Sequence, residues 1–238
     1  MAGWTPCRCG ACGSAPVLLD RRGFMSAGAF VAAAATFPLL GAGSACAKTS
    51  LGPDEAAARL MAGNERFVRG QLVSPKEDLV ERRKATVEGQ DPFAAVLSCA
   101  DSRVPVELVF DQGLGQIFGT RVAGNVVTPE ILASLEYGVA VLGIPVVLVL
   151  AHQNCGAVHA AIEGKAVPGQ ISALYAPLRE AVARGGGEQE AVARANAQIQ
   201  AGILGSASPV LSSAVKQGAL KILAGYYALD SGRVTLLA

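Results

Sequence analysis

Short, wholly apolar runs alternate along this chain with longer stretches in which apolar residues recur every three or four positions. Phe93-Ala-Ala-Val-Leu97 and Pro145-Val-Val-Leu-Val-Leu150 contain no polar residue, the pattern of parallel strands covered on both faces. They predict strands near 93–98 and 145–151, with another near 116–122. Leu220–Leu229 and Val234–Leu237, around the turn Asp230-Ser-Gly232, predict a closing strand pair. Pro53-Asp54-Glu55 opens a helix whose apolar positions Ala57, Leu60, Met61 and Phe67 approach the 3.6 period. A polar segment from Pro75 to Asp91 is helical in part, and Pro105–Phe110 forms a short helix ending near Asp111-Gln112-Gly113. Thr128-Pro129-Glu130 is a strong helix start, with Gly143 and Pro145 as its stop. Further helices begin at Cys155 or Gly156, cover 171–183 and 188–203 on either side of Gly185-Gly-Gly187, and run from Val210 to Gln217 after Ser208-Pro209. No internal repeat interrupts this alternation. It predicts one α/β domain with a mostly parallel central β-sheet flanked by helices.

Composition leaves that picture intact and narrows the partners. With 51% apolar and 16% charged residues, the chain can bury a sizeable core. The formal net charge is +1 and there is no basic stripe, which argues against a nucleic-acid partner. The 238 residues leave room for a leader ahead of the domain. Asp20-Arg21-Arg22-Gly23-Phe24-Met25 resembles a twin-arginine export signal, and the apolar stretch Ala27–Leu40 follows it. That stretch falls short of the roughly 20 residues of a spanning helix, and Pro38 interrupts it. Ala45-Cys46-Ala47 then offers the small-x-small pattern of a cleavage site. Residues 1–47 are thus expected to be a signal peptide, residues 48–238 the mature domain, and the protein periplasmic or secreted. Membrane contact would arise only through an uncleaved leader. A lipoprotein anchor at Cys46 is disfavoured by Gly43, which stands where that signal wants a bulky aliphatic residue.

Two clusters carry the chemistry, and each follows an apolar run: Cys99-Ala-Asp101-Ser-Arg103 and His152-Gln-Asn-Cys155. Six cysteines occur, of which Cys7, Cys9, Cys12 and Cys46 lie at or before the proposed cut. The first three lack a fourth ligand and read as incidental. Cys99 and Cys155 remain, and in an exported protein they could form a disulfide. Their motifs favour shared ligation of zinc instead, with two thiolates, one imidazole and a carboxylate to hand. Asp101 can reach the same ion, or Arg103 can hold its carboxylate in a bidentate fork. The first arrangement closes the site, and the second leaves a position for water. A purely structural zinc is the main rival reading. His159, the other histidine, reads as a helix-face residue.

Ser98-Cys99-Ala-Asp101-Ser-Arg103-Val-Pro105, followed about fifty residues on by His152-Gln-Asn-Cys155-Gly-Ala-Val158, resembles the β-class carbonic anhydrases. Asp111-Gln-Gly-Leu-Gly115, Arg121-Val-Ala-Gly-Asn125 and Ser134-Leu-Glu-Tyr-Gly138 also fit the bacterial branch. The resemblance implies one Zn2+ per subunit on Cys99, His152 and Cys155, with Asp101 as a movable fourth ligand restrained by Arg103. It implies reversible hydration of carbon dioxide to bicarbonate and a proton by zinc-bound hydroxide, which the Asp101–Arg103 dyad orients. Gln112 would donate a hydrogen bond to a substrate oxygen, and the Gly156 amide could stabilise the developing anion. A homodimer or higher homo-oligomer is implied as the active form. One departure stands out. Some bacterial members bind inhibitory bicarbonate with a tryptophan, where this chain has Val96, and an arginine, which Arg121 fits. Without the tryptophan, an open site at neutral pH is expected. Two alternatives are hydrolysis of carbonyl sulfide or carbon disulfide at the same zinc, and a non-catalytic exported zinc-binding protein. The His-x-Glu and Pro-Cys-x-x-Cys pattern of nucleobase deaminases is absent.

Overall fold

A computed structural model of the protein describes residues 49–238 apart from Pro75 and Lys76. The expected leader, residues 1–47, and the four cysteines in it lie outside the described residues. In chain order the elements are α1 (Pro53–Val68), α2 (Leu79–Ala85), β1 (Ala94–Ser98), α3 (Val106–Val109), β2 (Ile117–Arg121), α4 (Pro129–Ala140), β3 (Val146–His152), α5 (Gly156–Glu163), α6 (Tyr175–Gly185), α7 (Gln189–Ala207), α8 (Pro209–Lys216), β4 (Lys221–Tyr227) and β5 (Val234–Leu237). Single 3-10 turns lie at Ala123–Asn125 and Ile171–Leu174, so the helix expected over 171–183 begins as a tighter turn. Thr128 and Ser208 cap α4 and α8, each accepting a backbone N–H three residues on with its hydroxyl, and a proline follows each cap.

The sheet order is β2-β1-β3-β4-β5. The first four strands are parallel, and β5 pairs antiparallel with β4. Every residue of β1 and β3 is buried, as their unbroken apolar runs require. Side chains alternate between faces. Ala95, Leu97, Val147 and Val149 join the core on the side of α4 to α8. Ala94, Val96, Leu148 and Leu150 join Leu60 of α1 and Val106, Val109 and Phe110 around α3 on the other. From β1 the chain moves outward to β2, then returns to place β3 on the other side of β1. That reversal opens a crevice at the carboxyl ends of β1 and β3, where open α/β sheets bind their ligands.

The face that α1 buries differs from the sequence expectation. Ala56, Leu60, Gly63 and Asn64 point inward, while Ala57, Met61 and Phe67 are only partly buried against the same core. Gly63 lies so near α3 that a Cβ would sit 1.8 Å from the Phe110 carbonyl oxygen. Asn64 is buried because its amide is fully used. Its Nδ2 donates to the Val109 and Gly232 carbonyls at 3.1 and 2.9 Å, and its Oδ1 accepts the Val234 N–H at 2.8 Å. Among the described residues no helix is long and apolar enough to cross a membrane.

Candidate metal centre

The ends of β1 and β3 are aligned by their register, with Ser98 opposite Leu150. Cys99 leaves β1 and His152 ends β3, so both side chains enter the crevice, and Cys155 arrives as the N-cap of α5. The two sulfurs stand 3.9 Å apart, and the sulfurs and an imidazole nitrogen lie within 4.8 Å of one another, all on buried residues. His152 Nδ1 is 2.9 Å from the Gln153 carbonyl, which assigns the ring proton to Nδ1. Nε2 is left as a buried lone pair with no hydrogen-bond partner. An orphaned imidazole acceptor beside two sulfurs is an expensive arrangement unless a cation joins them, and this donor set suits zinc.

The titration of the sulfurs points the same way. The hydrogen bond from Cys155 draws Cys99 down to about 4 against the opposing effect of burial. Cys155 is pushed up, first by that same hydrogen bond to Cys99 and then by burial. In the absence of a cation the pair shares one proton, whereas a divalent ion would let both ionise. The Gly124 N–H also points at the Cys99 sulfur, at 3.3 Å.

Asp101 is turned away from this trio. Its carboxylate accepts Arg103 Nε at 2.9 Å, Nη2 at 2.7 Å and the Arg103 backbone N–H at 2.9 Å. The Arg103 hydrogen bonds hold the Asp101 carboxyl well below the usual carboxylate range. Asp101 Oδ2 stands 4.0 Å from His152 Nε2, within reach of any ion there but not bonded to the cluster. Arg103 Nη2 also donates to the Asn154 carbonyl at 3.1 Å and so ties the first cluster to the second. Asn154 supplies that carbonyl from the left-handed region, with φ of 53°, which asparagine tolerates better than most residues.

Several supporting contacts escaped the sequence reading. Arg121, at the end of β2, donates to the Cys99 carbonyl at 3.0 Å and the Asp101 carbonyl at 2.6 Å, which clamps the first loop from outside. Gln153 and Asp230 exchange two hydrogen bonds of 3.2 Å each, and Gln189 donates to the Cys155 carbonyl at 3.2 Å. No local signal marked these contacts, because each joins residues twenty or more positions apart. Asn125 ends the 3-10 turn after β2. His159 is exposed and pairs with Glu163 at 3.8 Å, away from the cluster. Gln112 is not brought to the site within the chain. Its Nε2 donates to the Phe110 carbonyl at 2.7 Å, and it lines a surface hollow with Ser74, Glu107 and Leu108.

A parallel sheet with two cysteines and a histidine at its reversal point, beside an arginine-held aspartate, defines a narrow class. The carbonic anhydrase family profile matches residues 94–234; the chain belongs to this family, in its β class, whose activity is carbon dioxide hydration. It is similar to carbonic anhydrase 2 of Mycobacterium tuberculosis, with 37% identity over 187 residues that cover 74% of this chain and 89% of that one. In structure it is similar to the β-carbonic anhydrase CafA of Aspergillus fumigatus, at a TM-score of 0.62 and 25% identity over 76% of this chain and 89% of that one. The β-carbonic anhydrase of Coccomyxa, solved with acetazolamide, gives a TM-score of 0.59 and 27% identity over 75% and 84% of the two chains.

Proposed function

We propose that the protein hydrates carbon dioxide with one zinc per subunit held by Cys99, His152 and Cys155, and that Asp101 and Arg103 act as an orienting dyad. The observation that carries this reading is the buried, unpartnered His152 Nε2 beside two sulfurs, with Asp101 drawn off by Arg103. Zinc supplies the Lewis acidity that makes hydroxide available at neutral pH. Asp101 accepts a hydrogen bond from the attacking oxygen and so turns its lone pair toward carbon dioxide. Arg103 keeps Asp101 ionised and off the metal. The Gly156 N–H, in the first turn of α5, would stabilise the developing anion.

Gln112 fits its assigned role only if a second copy brings it in. The face around it exposes Leu79, Leu108 and Leu114, which supports a homodimer or larger homo-oligomer. Export through the twin-arginine leader to the periplasm or beyond completes the proposal. Hydrolysis of carbonyl sulfide or carbon disulfide at the same cluster is the competing activity. It is tested by supplying each substrate to the zinc-loaded protein alongside its Asp101→Ala variant. Carbon dioxide hydration well above the sulfur chemistry, lost in the variant at unchanged zinc content, is the expected result. Faster turnover of carbonyl sulfide, or an active variant, would overturn the assignment.

A further inference from the structure

The buried side of α7 carries two amides among its apolar residues. Asn196 and Gln200, one turn apart, are 0% and 1% exposed, and a buried amide is tolerated only where its hydrogen bonds are met. Gln200 Oε1 accepts the Val127 N–H at 2.8 Å, while its Nε2 donates to the Asn196 Oδ1 at 3.1 Å and the Pro177 carbonyl at 3.3 Å. With its oxygen so engaged, Asn196 has its Nδ2 aimed at the Gly124 carbonyl, 2.8 Å away. Gly124 sits at φ of 75°, a conformation glycine accepts freely, and an added Cβ would press on Ala157 and Leu178 at 3.3 and 3.4 Å. The N–H of this same residue meets the Cys99 sulfur at 3.3 Å. A chain of hydrogen bonds thus runs from α7 through one peptide turn to a ligand atom.

We propose that Asn196, backed by Gln200, is a positioning residue that aims the Gly124 N–H at the Cys99 sulfur and so limits the charge this sulfur donates to a bound metal. The inference rests on the reading of Cys99, His152 and Cys155 as a zinc site. Two thiolates make a cation a weaker Lewis acid than neutral imidazoles do, and an N–H···S bond draws electron density back from the sulfur. Outer-shell partners of this kind change metal affinity or activity by about 10- to 100-fold when removed.

The test uses the full chain loaded with the spin-half isotope of cadmium. A scalar coupling between the metal and the Gly124 amide proton is expected across the hydrogen bond. In Asn196→Ala and Asn196→Asp, which cannot donate to Gly124, the coupling should weaken or vanish with the metal still bound. In the same variants loaded with cobalt, the sulfur-to-metal charge-transfer band should move to lower energy, and kcat with zinc should fall about tenfold or more at unchanged KM. Bound cadmium with no Gly124 coupling in the wild type would overturn the proposal and leave the metal site standing. So would variants that lose stability while coupling and band stay in place. Failure of the wild type to bind cadmium through its two sulfurs would overturn the site reading and the proposal together. Should either variant fail to fold, the other decides.

Discussion

Replacing Asp111 with alanine should cost the fold several kcal/mol and should do so in a pH-dependent way. Asp111 lies two residues beyond α3, with φ of 47°, and is 3% exposed. Its carboxylate accepts Arg66 Nε at 2.5 Å, the Val73 N–H at 3.0 Å and the Ser74 N–H at 2.9 Å, which pins the segment between α1 and α2 onto the body of the fold. Alanine leaves the buried Ser74 amide without a partner, at a cost of about 1–3 kcal/mol. Water can replace the partner of the more exposed Val73 amide. The lost bond to Arg66 adds about 1.5–3 kcal/mol before a reduction for the exposure of the guanidinium. After that reduction the sum is about 2–5 kcal/mol. Burial alone would raise the Asp111 carboxyl, but the bonds from Arg66, Ser74 and Val73 outweigh it, and the net shift is downward from 3.8. A carboxylate whose folded value is lowered adds stability that is present above its unfolded value and disappears as pH falls through the folded one. Urea unfolding should therefore show a wide gap between wild-type and variant midpoints from pH 7 down to about pH 4, closing below that. Coincident midpoints at pH 7, or a gap indifferent to acid, would refute the reasoning.

Arg103→Ala should free Asp101, whose Oδ2 lies 4.0 Å from His152 Nε2, to turn onto a bound metal. Zinc retention in a chelator competition should hold while stopped-flow hydration falls about 10- to 100-fold, and wild-type rates would contradict the dyad. Arg103→Lys should rescue little, because a single ammonium cannot reproduce the fork at 2.9 and 2.7 Å. Gly63→Ala would place a Cβ 1.8 Å from the Phe110 carbonyl oxygen, forcing α1 and α3 apart. A loss of about 1–3 kcal/mol in thermal unfolding is expected, and unchanged stability would show that the close approach relaxes freely.

The parts of the fold readable in the sequence are those decided locally. Unbroken apolar runs marked β1 and β3 because both faces of those strands are covered. Thr128-Pro129 and Ser208-Pro209 marked helix starts because cap and first turn lie within four residues. The convergence of Cys99, His152 and Cys155 was readable for the same reason, since a residue at or just after the end of a buried strand has one crevice to enter. The inward face of α1 was not readable, because Gly63 and Asn64 are buried for reasons that lie elsewhere: one admits the Phe110 carbonyl and the other bonds to Val109, Gly232 and Val234. The shell behind the ligands was hidden likewise. Arg121 meets the carbonyls of Cys99 and Asp101 some twenty residues away, and Asn196 meets Gly124 across seventy-two. Gln112 illustrates the converse. Its motif suggested a place at the reacting centre, yet within one chain it lies against α3 and a surface hollow.

Zinc titrated stepwise into metal-free protein, with carbon dioxide hydration followed by stopped flow, tests the central claim most directly. Activity should rise in proportion to zinc and level off at one zinc per chain. It should return after each cycle of chelation and reloading. Full zinc occupancy with no hydration above buffer would contradict the account.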